Sequence, residues 1–341
     1  MELLGATTMS HLGPLIDTFG RTHNNLRISV TDRCNIRCFY CMPEDNPVFM
    51  ERREILTFEE IERFVRVAVR LGINKVRLTG GEPLVRRNLQ VLVRKLAAIP
   101  EITDLALTTN GILLQQQAGQ LYDAGLRRIN IHLDTLDPAR FKQIVRRDMF
   151  ETVLAGIFAC KRLGYNPIKL NAVAVRGLIE EDLVPLAQFG RMHGIEVRFI
   201  EFMPLDADGQ WQRDKVLFAA DILETLSYEI APLVTVPDQD TRAPASEFMF
   251  SDGVGRIGII ASVSRPFCMS CNRIRLTADG KLRNCLFALD ELDVKAVMRS
   301  GGSDDEIIQL IRRSVHDKWE GHEINTARFV QPLRPMYAIG G

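Results

Sequence analysis

The sequence has no excess of charge of either sign and no long apolar run. Its 43 Lys and Arg residues balance 43 Asp and Glu residues, so the formal net charge is zero. This balance argues against a general binder of nucleic acid polymers, which usually carries a basic excess. No apolar run approaches the length of a membrane span. We therefore expect neither a nucleic acid nor a membrane partner, and an anion site must come from local clustering of cations.

The sequence also lacks a secretion signal and is sparing with cysteine. Its start, MELLGATTMSHLGPLIDTFGR, does not have the basic-then-apolar order of such a signal. We therefore expect a cytoplasmic protein, whose thiols stay reduced. The seven cysteines are odd in number and mostly clustered, which favours metal ligation over a disulfide framework. Cys160 stands apart in the apolar pattern AGIFACKRLG, which predicts a buried core thiol.

Strand and helix signals alternate over the first part of the chain. Six runs rich in β-branched residues are predicted strands: Leu26–Val30, Lys75–Thr79, Asp104–Thr109, Arg128–Leu133, Ile168–Val175 and Glu196–Met203. In the clearest helix, Thr57 and Glu60 form a capping box and Gly72 marks the end. Such alternation implies a parallel sheet, and six strands are too few for a closed eight-stranded barrel. The sequence predicts an α/β fold with an open, partial (β/α)6 TIM-like barrel; a doubly wound sheet is the alternative.

After residue 205 this alternation ends. A polar loop, an irregular loop, two hairpins and a helical tract follow, at 206–214, 237–246, 251–255, 277–280 and up to about Lys318. We therefore predict three regions: an N-terminal extension (1–25), the barrel (26–205) and a C-terminal α+β appendage (206–341). The appendage is expected to cover the open side of the barrel.

Polar segments accompany all six predicted strands. In chain order they are the cysteine loop (34–41), GGEP (80–83), TTNG (108–111), HLDTLD (132–137), Lys169 with Asn171, and EFMP (201–204). Ligands of parallel α/β sheets gather beyond the carboxyl ends of the strands. We therefore expect these segments to meet at one face of the barrel.

Two groups of three cysteines carry the most specific signal. The first cysteine set is Cys34, Cys38 and Cys41, spaced C-x3-C-x2-C, and the second cysteine set is Cys268, Cys271 and Cys285, spaced C-x2-C-x13-C. Three thiolates can hold three irons of a 4Fe–4S cubane and leave the fourth iron open for a reactant. The alternatives are zinc with a distant fourth ligand, or unrelated thiols. Two incomplete sets suggest two clusters, each with an open iron.

These motifs resemble known families. The first cysteine set, with Tyr40 as the aromatic residue of C-x3-C-x-aromatic-C, and the GGEP segment resemble the radical S-adenosylmethionine (SAM) enzymes. The segments LRISVTDRCNIRCFYCMP, VRLTGGEPLVRR, LTTNG, EFMPL and FCMSCNRIRLTADGKLRNCL, with the final Gly-Gly, resemble the GTP 3′,8-cyclase family of molybdenum cofactor biosynthesis. The resemblance runs from about Leu26 to the C-terminus, and the first 20 or so residues carry none.

The resemblance implies cofactors and site residues. Each cysteine set would hold a 4Fe–4S cluster, with SAM on the open iron of the first and the guanine of GTP on that of the second. The SAM site would include Tyr40, Gly81, His132 and Met203. The GTP site would include Arg27, Arg77, Thr108, Lys169, Arg273, Ile274 and Arg275. Arg forks and Lys point charges suit a triphosphate.

The resemblance also implies a reaction and partners. GTP would lose hydrogen from C3′, and C3′ would join C8 to give (8S)-3′,8-cyclo-7,8-dihydroguanosine 5′-triphosphate. Arg273 or Arg275 would supply the last proton or stabilise the reduced base. An external one-electron donor, a downstream pterin-forming enzyme and a homodimer are expected. Gly340 and Gly341 would enter the active site.

One departure and three competing functions stay open. His132 stands where the family usually has Ser; it could donate to the SAM carboxylate, or simply serve a backbone carbonyl. The competing functions are a radical SAM enzyme that modifies peptides, a two-cluster electron carrier and a structural zinc protein.

Overall fold

A short hairpin precedes the barrel. Strand β1 (Leu15–Ile16) pairs antiparallel with β2 (Thr22–His23). The computed structural model describes residues 12–340. Residues 1–11 of the predicted extension and Gly341 of the predicted tail therefore lie outside the described residues. Leu15 is buried in the main core, so the described part of the extension belongs to the packed fold.

Six parallel strands form the centre of the sheet. They are β3 (Asn25–Ser29), β4 (Lys75–Thr79), β5 (Asp104–Thr109), β6 (Arg128–His132), β7 (Ile168–Ala174) and β8 (Glu196–Glu201). They neighbour one another in chain order, from β3 to β8. A doubly wound sheet would reverse its strand order at a switch point, and this one does not. The predicted partial barrel is confirmed, because the sheet stays open between its two edge strands.

Ten helices accompany the strands. They are α1 (Phe58–Val69), α2 (Leu89–Ala97), α3 (Leu114–Asp123), α4 (Pro138–Val145), α5 (Phe150–Leu163), α6 (Leu183–His193), α7 (Ala219–Glu229), α8 (Val294–Arg299), α9 (Asp304–His316) and α10 (Met336–Ile339), among residues 12–340. The predicted capping box of α1 is confirmed: Glu60 N donates to Thr57 Oγ1 at 3.1 Å, and Thr57 N donates to Glu60 Oε2 at 2.7 Å. None of these helices is long and apolar enough to cross a membrane.

The C-terminal region adds six strands to the same sheet. They are β9 (Leu233–Thr235), β10 (Ser246–Phe250), β11 (Arg256–Ile260), β12 (Arg273–Leu276), β13 (Lys281–Arg283) and β14 (Leu292–Asp293). Both predicted hairpins are present, as β10–β11 and β12–β13. However, β11 pairs with β8 and β12 pairs with β3, both in parallel. The strands of the predicted appendage thus extend both edges of the barrel sheet and do not form a separate layer.

The main core lies between the barrel strands and their helices. It includes the apolar face of α1, with Ile61, Phe64 and Val65 fully buried. Cys160 is also fully buried there, as its apolar surroundings in the sequence predict. A smaller cluster of buried apolar residues, including Phe202, Phe287 and Ile339, joins the C-terminal region to the end of the barrel. This second cluster fixes the C-terminal region over the strand ends.

Candidate active site

A cavity of about 350 Å³ lies at the carboxyl ends of the barrel strands. All six predicted polar segments contribute residues to its wall, and so do both cysteine sets. The expected convergence at one face of the barrel is confirmed. All seven cysteines of the chain are free thiols, so no disulfide competes for either set.

The GGEP turn supports the loop of the first cysteine set. Gly81 N donates to Thr31 O at 2.7 Å, and Glu82 N donates to Arg33 O at 2.8 Å. A Cβ added to Gly81 would lie only 2.5 Å from Arg33 O, so a side chain does not fit there. Glycine at this position lets two backbone segments approach each other closely. The turn thereby holds the chain that leads into Cys34.

The TTNG segment joins the same support. The Glu82 carboxylate accepts hydrogen bonds from Thr109 Oγ1 and Asn110 N, each at 2.7 Å. Asn110 Nδ2 in turn donates to Asn35 Oδ1 at 2.7 Å, next to Cys34. Burial nevertheless raises the pKa of Glu82 to about 7, because these hydrogen bonds offset only part of the desolvation. Two motifs, GGEP after β4 and TTNG at the end of β5, therefore fix the cysteine loop that follows β3.

His132 belongs to a hydrogen-bonded group beside this loop. The Tyr40 hydroxyl donates to Asp134 Oδ2 at 2.5 Å and lies 2.6 Å from His132 Nε2. That nitrogen is 2.9 Å from the same carboxylate oxygen. Burial alone would lower the pKa of His132, but the Asp134 carboxylate outweighs it and raises the pKa well above its usual value. The Nε2 atom therefore has side-chain partners, whereas the sequence suggested the SAM carboxylate or a backbone carbonyl.

The thiols of the two sets differ in their ease of ionisation. Burial raises the pKa of Cys34 to about 12 and also raises that of Cys41. Burial opposes ionisation of Cys271 as well, but the charges of Arg273 and Lys318 outweigh it and lower the pKa of Cys271 to about 6. Arg273 Nη2 lies 3.2 Å from Cys271 Sγ and can donate to it. Metal binding must therefore displace protons from Cys34 and Cys41 of the first set and from Cys268 of the second, whose pKa burial also raises, whereas Cys271 ionises readily.

The residues fit two iron–sulfur clusters. Within residues 12–340, no three Cys, His, Asp or Glu side chains converge on a position for one metal ion. A single zinc would need its thiolates within about 2.3 Å of one point, whereas a cubane takes each thiolate on a different iron. All three thiols of each set are free and line the cavity. Three free thiols are the ligands that a cubane with one open iron takes from a protein.

Five arginines line the cavity, and four of them were predicted from the sequence: Arg27, Arg77, Arg273 and Arg275. Among the residues that the structure describes, no hydrogen-bond partner exists for Arg27 Nε, Arg77 Nη1 or Arg273 Nη1. Burial, followed by repulsion from Arg275 and Arg77, lowers the pKa of Arg27. Burial likewise lowers the pKa of Arg77 and of Arg275 to about 10. Buried cations without counter-ions are costly, so this wall is suited to a polyanion.

The remaining predicted nucleotide residues lie in different places. Thr108 lines the cavity beside the arginines. Lys169 does not line it; its Nζ lies 2.6 Å from Glu196 Oε2 and 3.3 Å from Glu247 Oε1. Ile274 is fully buried in the main core, so only its backbone can face a ligand. Of the predicted SAM residues, Tyr40, Gly81, His132 and Met203 all line the cavity.

Two cavity cations were not predicted from the sequence. Arg198 on β8 lines the cavity, and its Nη2 is 3.1 Å from Glu247 Oε1. Lys318 follows α9 and donates to Arg273 O at 3.0 Å and to Asn284 O. A charge inside the strand run EVRFIE was a usable signal for Arg198. Lys318 had none, because it lies in an ordinary polar helix end.

The C-terminal tail reaches the arginines. Gly340 O accepts a hydrogen bond from Arg275 Nη1 at 3.0 Å. Gly340 has a φ of +87°, and a Cβ added there would lie 2.6 Å from Ser29 Cβ and 2.9 Å from Thr79 Oγ1. The position therefore requires glycine, on both conformational and steric grounds. Gly340 therefore contacts a cavity arginine without lining the cavity itself, and the entry of the Gly-Gly tail into the active site stays a prediction.

Comparisons with known proteins agree with this geometry. The family model described as Radical SAM superfamily matches residues 28–190, and the one described as Molybdenum Cofactor Synthesis C matches residues 195–324. Among solved structures, SuiB of Streptococcus suis bound to its precursor peptide SuiA has a TM-score of 0.60 at 15% identity, covering 85% of this chain and 66% of that one. At this identity the likeness concerns the fold alone.

Curated relatives match almost the whole chain. The GTP 3′,8-cyclase of Rhodopirellula baltica is 50% identical over 338 residues, which cover 98% of this chain and 94% of that protein. The GTP 3′,8-cyclase of Streptomyces coelicolor is 45% identical over 328 residues, which cover 96% of each. The chain therefore belongs to the GTP 3′,8-cyclase family of the radical SAM superfamily.

Proposed function

We propose that this protein cyclises GTP to (8S)-3′,8-cyclo-7,8-dihydroguanosine 5′-triphosphate, the first step of molybdenum cofactor biosynthesis. One observation carries the proposal: both cysteine sets and five arginines line the same cavity. An electron carrier has no need of a polyanion site between its clusters. The names of the curated relatives support the same substrate and reaction.

The first cysteine set holds the cluster that binds SAM. Tyr40, Gly81, His132 and Met203 line the cavity on this side and are the proposed SAM contacts. The bound cluster and SAM supply the radical chemistry that removes hydrogen from the substrate. The protein's task here is to fix SAM and to exclude water. The hydrogen-bonded group of Tyr40, His132 and Asp134 keeps this wall rigid.

The arginines hold the nucleotide against the second cysteine set. Arg27, Arg77, Arg273 and Arg275 offer forked donors to the phosphates, and Thr108 offers a hydroxyl. Burial and the repulsion between these cations lower the pKa values of Arg27, Arg77 and Arg275, and a bound anion would offset both effects. The backbone of Ile274 is a further proposed contact. Lys169, paired with Glu196 and Glu247, is proposed to reach the phosphates by exchanging one of these partners.

The ring closure needs a fixed geometry and one proton. A hydrogen atom leaves C3′ of the ribose, C3′ bonds to C8 of the guanine, and one electron with one proton completes the dihydro product. Fixing GTP at its base and its phosphates holds C3′ where its hydrogen can be removed and where it can bond to C8. Arg275 is the proposed proton donor, because burial lowers its pKa to about 10. Arg273 is more suited to stabilising the reduced base near Cys271.

Further partners are part of this proposal. The reaction needs an external one-electron donor, and its product is consumed by a pterin-forming enzyme. A homodimer and a cytoplasmic location complete the proposal. The free state of all seven thiols supports a reducing compartment.

The test is product formation by the anaerobically reconstituted protein with SAM, a reductant and GTP. We expect the cyclised nucleotide by mass spectrometry, together with methionine and 5′-deoxyadenosine in equal amounts. ATP in place of GTP is the control and should give no cyclised product. Cleavage of SAM without any change in GTP would contradict the proposal and favour a peptide-modifying enzyme.

A further inference from the structure

The N-terminal hairpin contacts the second cysteine set through one buried arginine. Arg21 precedes β2 and is only 8% exposed. Its Nη1 donates to Cys268 O at 2.8 Å and to Glu320 O at 2.7 Å, and its Nη2 donates to Trp319 O at 2.7 Å. One guanidinium therefore joins the hairpin to two distant segments of the C-terminal region. No sequence motif pointed to this role.

The orientation of Arg21 is itself fixed. Its Nε donates to Asp17 Oδ2 at 2.6 Å, and its backbone N donates to Asp17 Oδ1 at 2.9 Å. His23 Nε2 lies 2.9 Å from the same oxygen, Asp17 Oδ2, and both side chains are fully buried. The hairpin thus holds the guanidinium in one geometry before it reaches the cysteine loop.

The Cys268 carbonyl is the centre of the turn between two cysteines of the set. Cys271 N donates to this same oxygen at 3.0 Å, which closes the single 3-10 turn Cys268–Ser270. Arg21 therefore binds the atom that determines how Cys268 and Cys271 are spaced. A charged donor on a carbonyl gives a stronger hydrogen bond than a neutral one.

The segment on the other side of Cys268 is held by the same guanidinium. A Cβ added to Gly321 would lie 3.6 Å from Cys268 Cβ and 3.9 Å from Cys268 Sγ, so this segment packs directly against the thiol. Arg21 binds the two carbonyls just before Gly321. Only the planar fork of arginine presents donors to Asp17 and to three carbonyls at once; lysine has one compact ammonium.

We infer that Arg21 is a positioning residue for the second cluster, which holds the Cys268–Cys271 turn in the geometry that the cluster requires. The inference rests on the proposed function only in that the second cysteine set binds a cluster. Groups that orient metal ligands typically affect metal affinity about ten- to a hundredfold. The consequence is specific: the loss of Arg21 should affect the second cluster and spare the first.

The test compares Arg21→Gln and Arg21→Lys with Arg191→Gln in the full-length, anaerobically reconstituted protein. Arg191 is a matched control because it also joins a carboxylate, Asp252, to a carbonyl, Val254 O at 2.7 Å, far from either cysteine set. We expect both Arg21 variants to lose at least about threefold in occupancy of the second cluster, by iron analysis and low-temperature paramagnetic resonance. The first cluster and SAM cleavage without GTP should persist.

A second readout uses the metal-free protein. Alkylation followed by peptide mass spectrometry measures the reactivity of each thiol. We expect Cys268 to react at least about threefold faster in Arg21→Gln, because its turn opens, with Cys34 unchanged. Arg21→Lys should not restore protection, since it keeps the charge and loses the fork.

The outcomes separate the inference from the proposed function. An Arg21→Gln protein with full occupancy, an unchanged second-cluster spectrum and unchanged Cys268 alkylation would overturn the inference alone. A wild-type protein that takes up only one cluster would overturn the proposed function and the inference with it. If Arg21→Gln does not fold, Asp17→Asn takes its place, and the same two readouts decide.

Discussion

Replacing Gly340 by alanine tests whether the C-terminal tail is part of the active site. The new Cβ would lie 2.6 Å from Ser29 Cβ and 2.9 Å from Thr79 Oγ1, closer than such contacts allow. A φ of +87° is in addition unfavourable for alanine. Ser29 and Thr79 are buried strand residues that cannot move aside, so the tail has to leave. In Gly340→Ala, the added methyl group is therefore expected to displace the end of the tail from its position.

The size of the effect follows from the contact that is lost. Arg275 Nη1 donates to Gly340 O at 3.0 Å in a buried setting. A hydrogen bond from a charged donor contributes about 1.5–3 kcal/mol. Loss of this contact leaves Arg275 free to turn away from the nucleotide. We expect kcat/KM for GTP cyclisation to fall about ten- to a hundredfold.

The assay is the rate of cyclised product by mass spectrometry, with cluster content and SAM cleavage measured on the same samples. Both should change less than the cyclisation rate, because the lost contact joins Gly340 to Arg275 and involves neither cysteine set. Gly301→Ala is the control: Gly301 has a φ of +80° with open space around its Cβ position, and it lies away from the cavity. Gly301→Ala therefore has the same unfavourable φ for alanine but no steric clash. If Gly340→Ala forms the product at the parent rate, the reasoning is refuted and the tail has no role in cyclisation.

Three further predictions concern the clusters, the nucleotide and pH. Cys38→Ser should abolish SAM cleavage, whereas Cys271→Ser should keep much of it and lose the product; equal uncoupled cleavage in both would contradict the division of labour between the two sets. Arg77→Ala should weaken GTP binding about ten- to a hundredfold and leave SAM binding unchanged, as measured by calorimetry; unchanged GTP affinity would remove Arg77 from the site. Burial, with the charge of Lys318, lowers the pKa of His23 from 6.5 to about 4. Protonation of His23 is therefore disfavoured in the folded state, and the protein loses stability as the pH falls from about 6.5 towards 4. Between pH 7 and pH 5, this group should lower the free energy of unfolding of the metal-free protein by about 2 kcal/mol. Urea denaturation of His23→Gln at the two pH values should lack this contribution. If the free energy of unfolding of the variant falls as much as that of the parent, other groups are responsible.

The barrel and its motifs were predictable because their signals are local. The six strands lie within two residues of their predicted bounds, since each is a short β-branched run between helical patterns. The polar segments follow those strands, so a parallel sheet brings them together without knowledge of any contact. Thr57 and Glu60 were readable for the same reason: a capping box is contained in four consecutive residues.

The parts that were not predicted depend on contacts between distant segments. Lys169 was expected to be free for the nucleotide, but one of its partners, Glu247, comes from a hairpin of the C-terminal region. Arg21 looks like any exposed arginine until the fold brings Cys268 and Trp319 to it. The pairing of β12 with β3 could not be predicted either, because the alternation of apolar residues shows which face of a strand is buried but not which strand it pairs with.

The pairing of β12 with β3 has a consequence for how the protein is made. The chain leaves the ribosome from its N-terminus, and domains tend to fold in that order. The barrel strands β3 to β8 emerge first, yet the edge of β3 stays unpaired until β12 has been synthesised. An uncovered edge of this kind invites pairing with other chains. Cys271 and Cys285 lie on either side of β12 and Tyr337 lies further along the chain, so the cavity wall is incomplete until these residues have been synthesised. The second cluster therefore cannot be loaded before the C-terminal region exists, and a chain that stops before β12 is prone to aggregation or proteolysis.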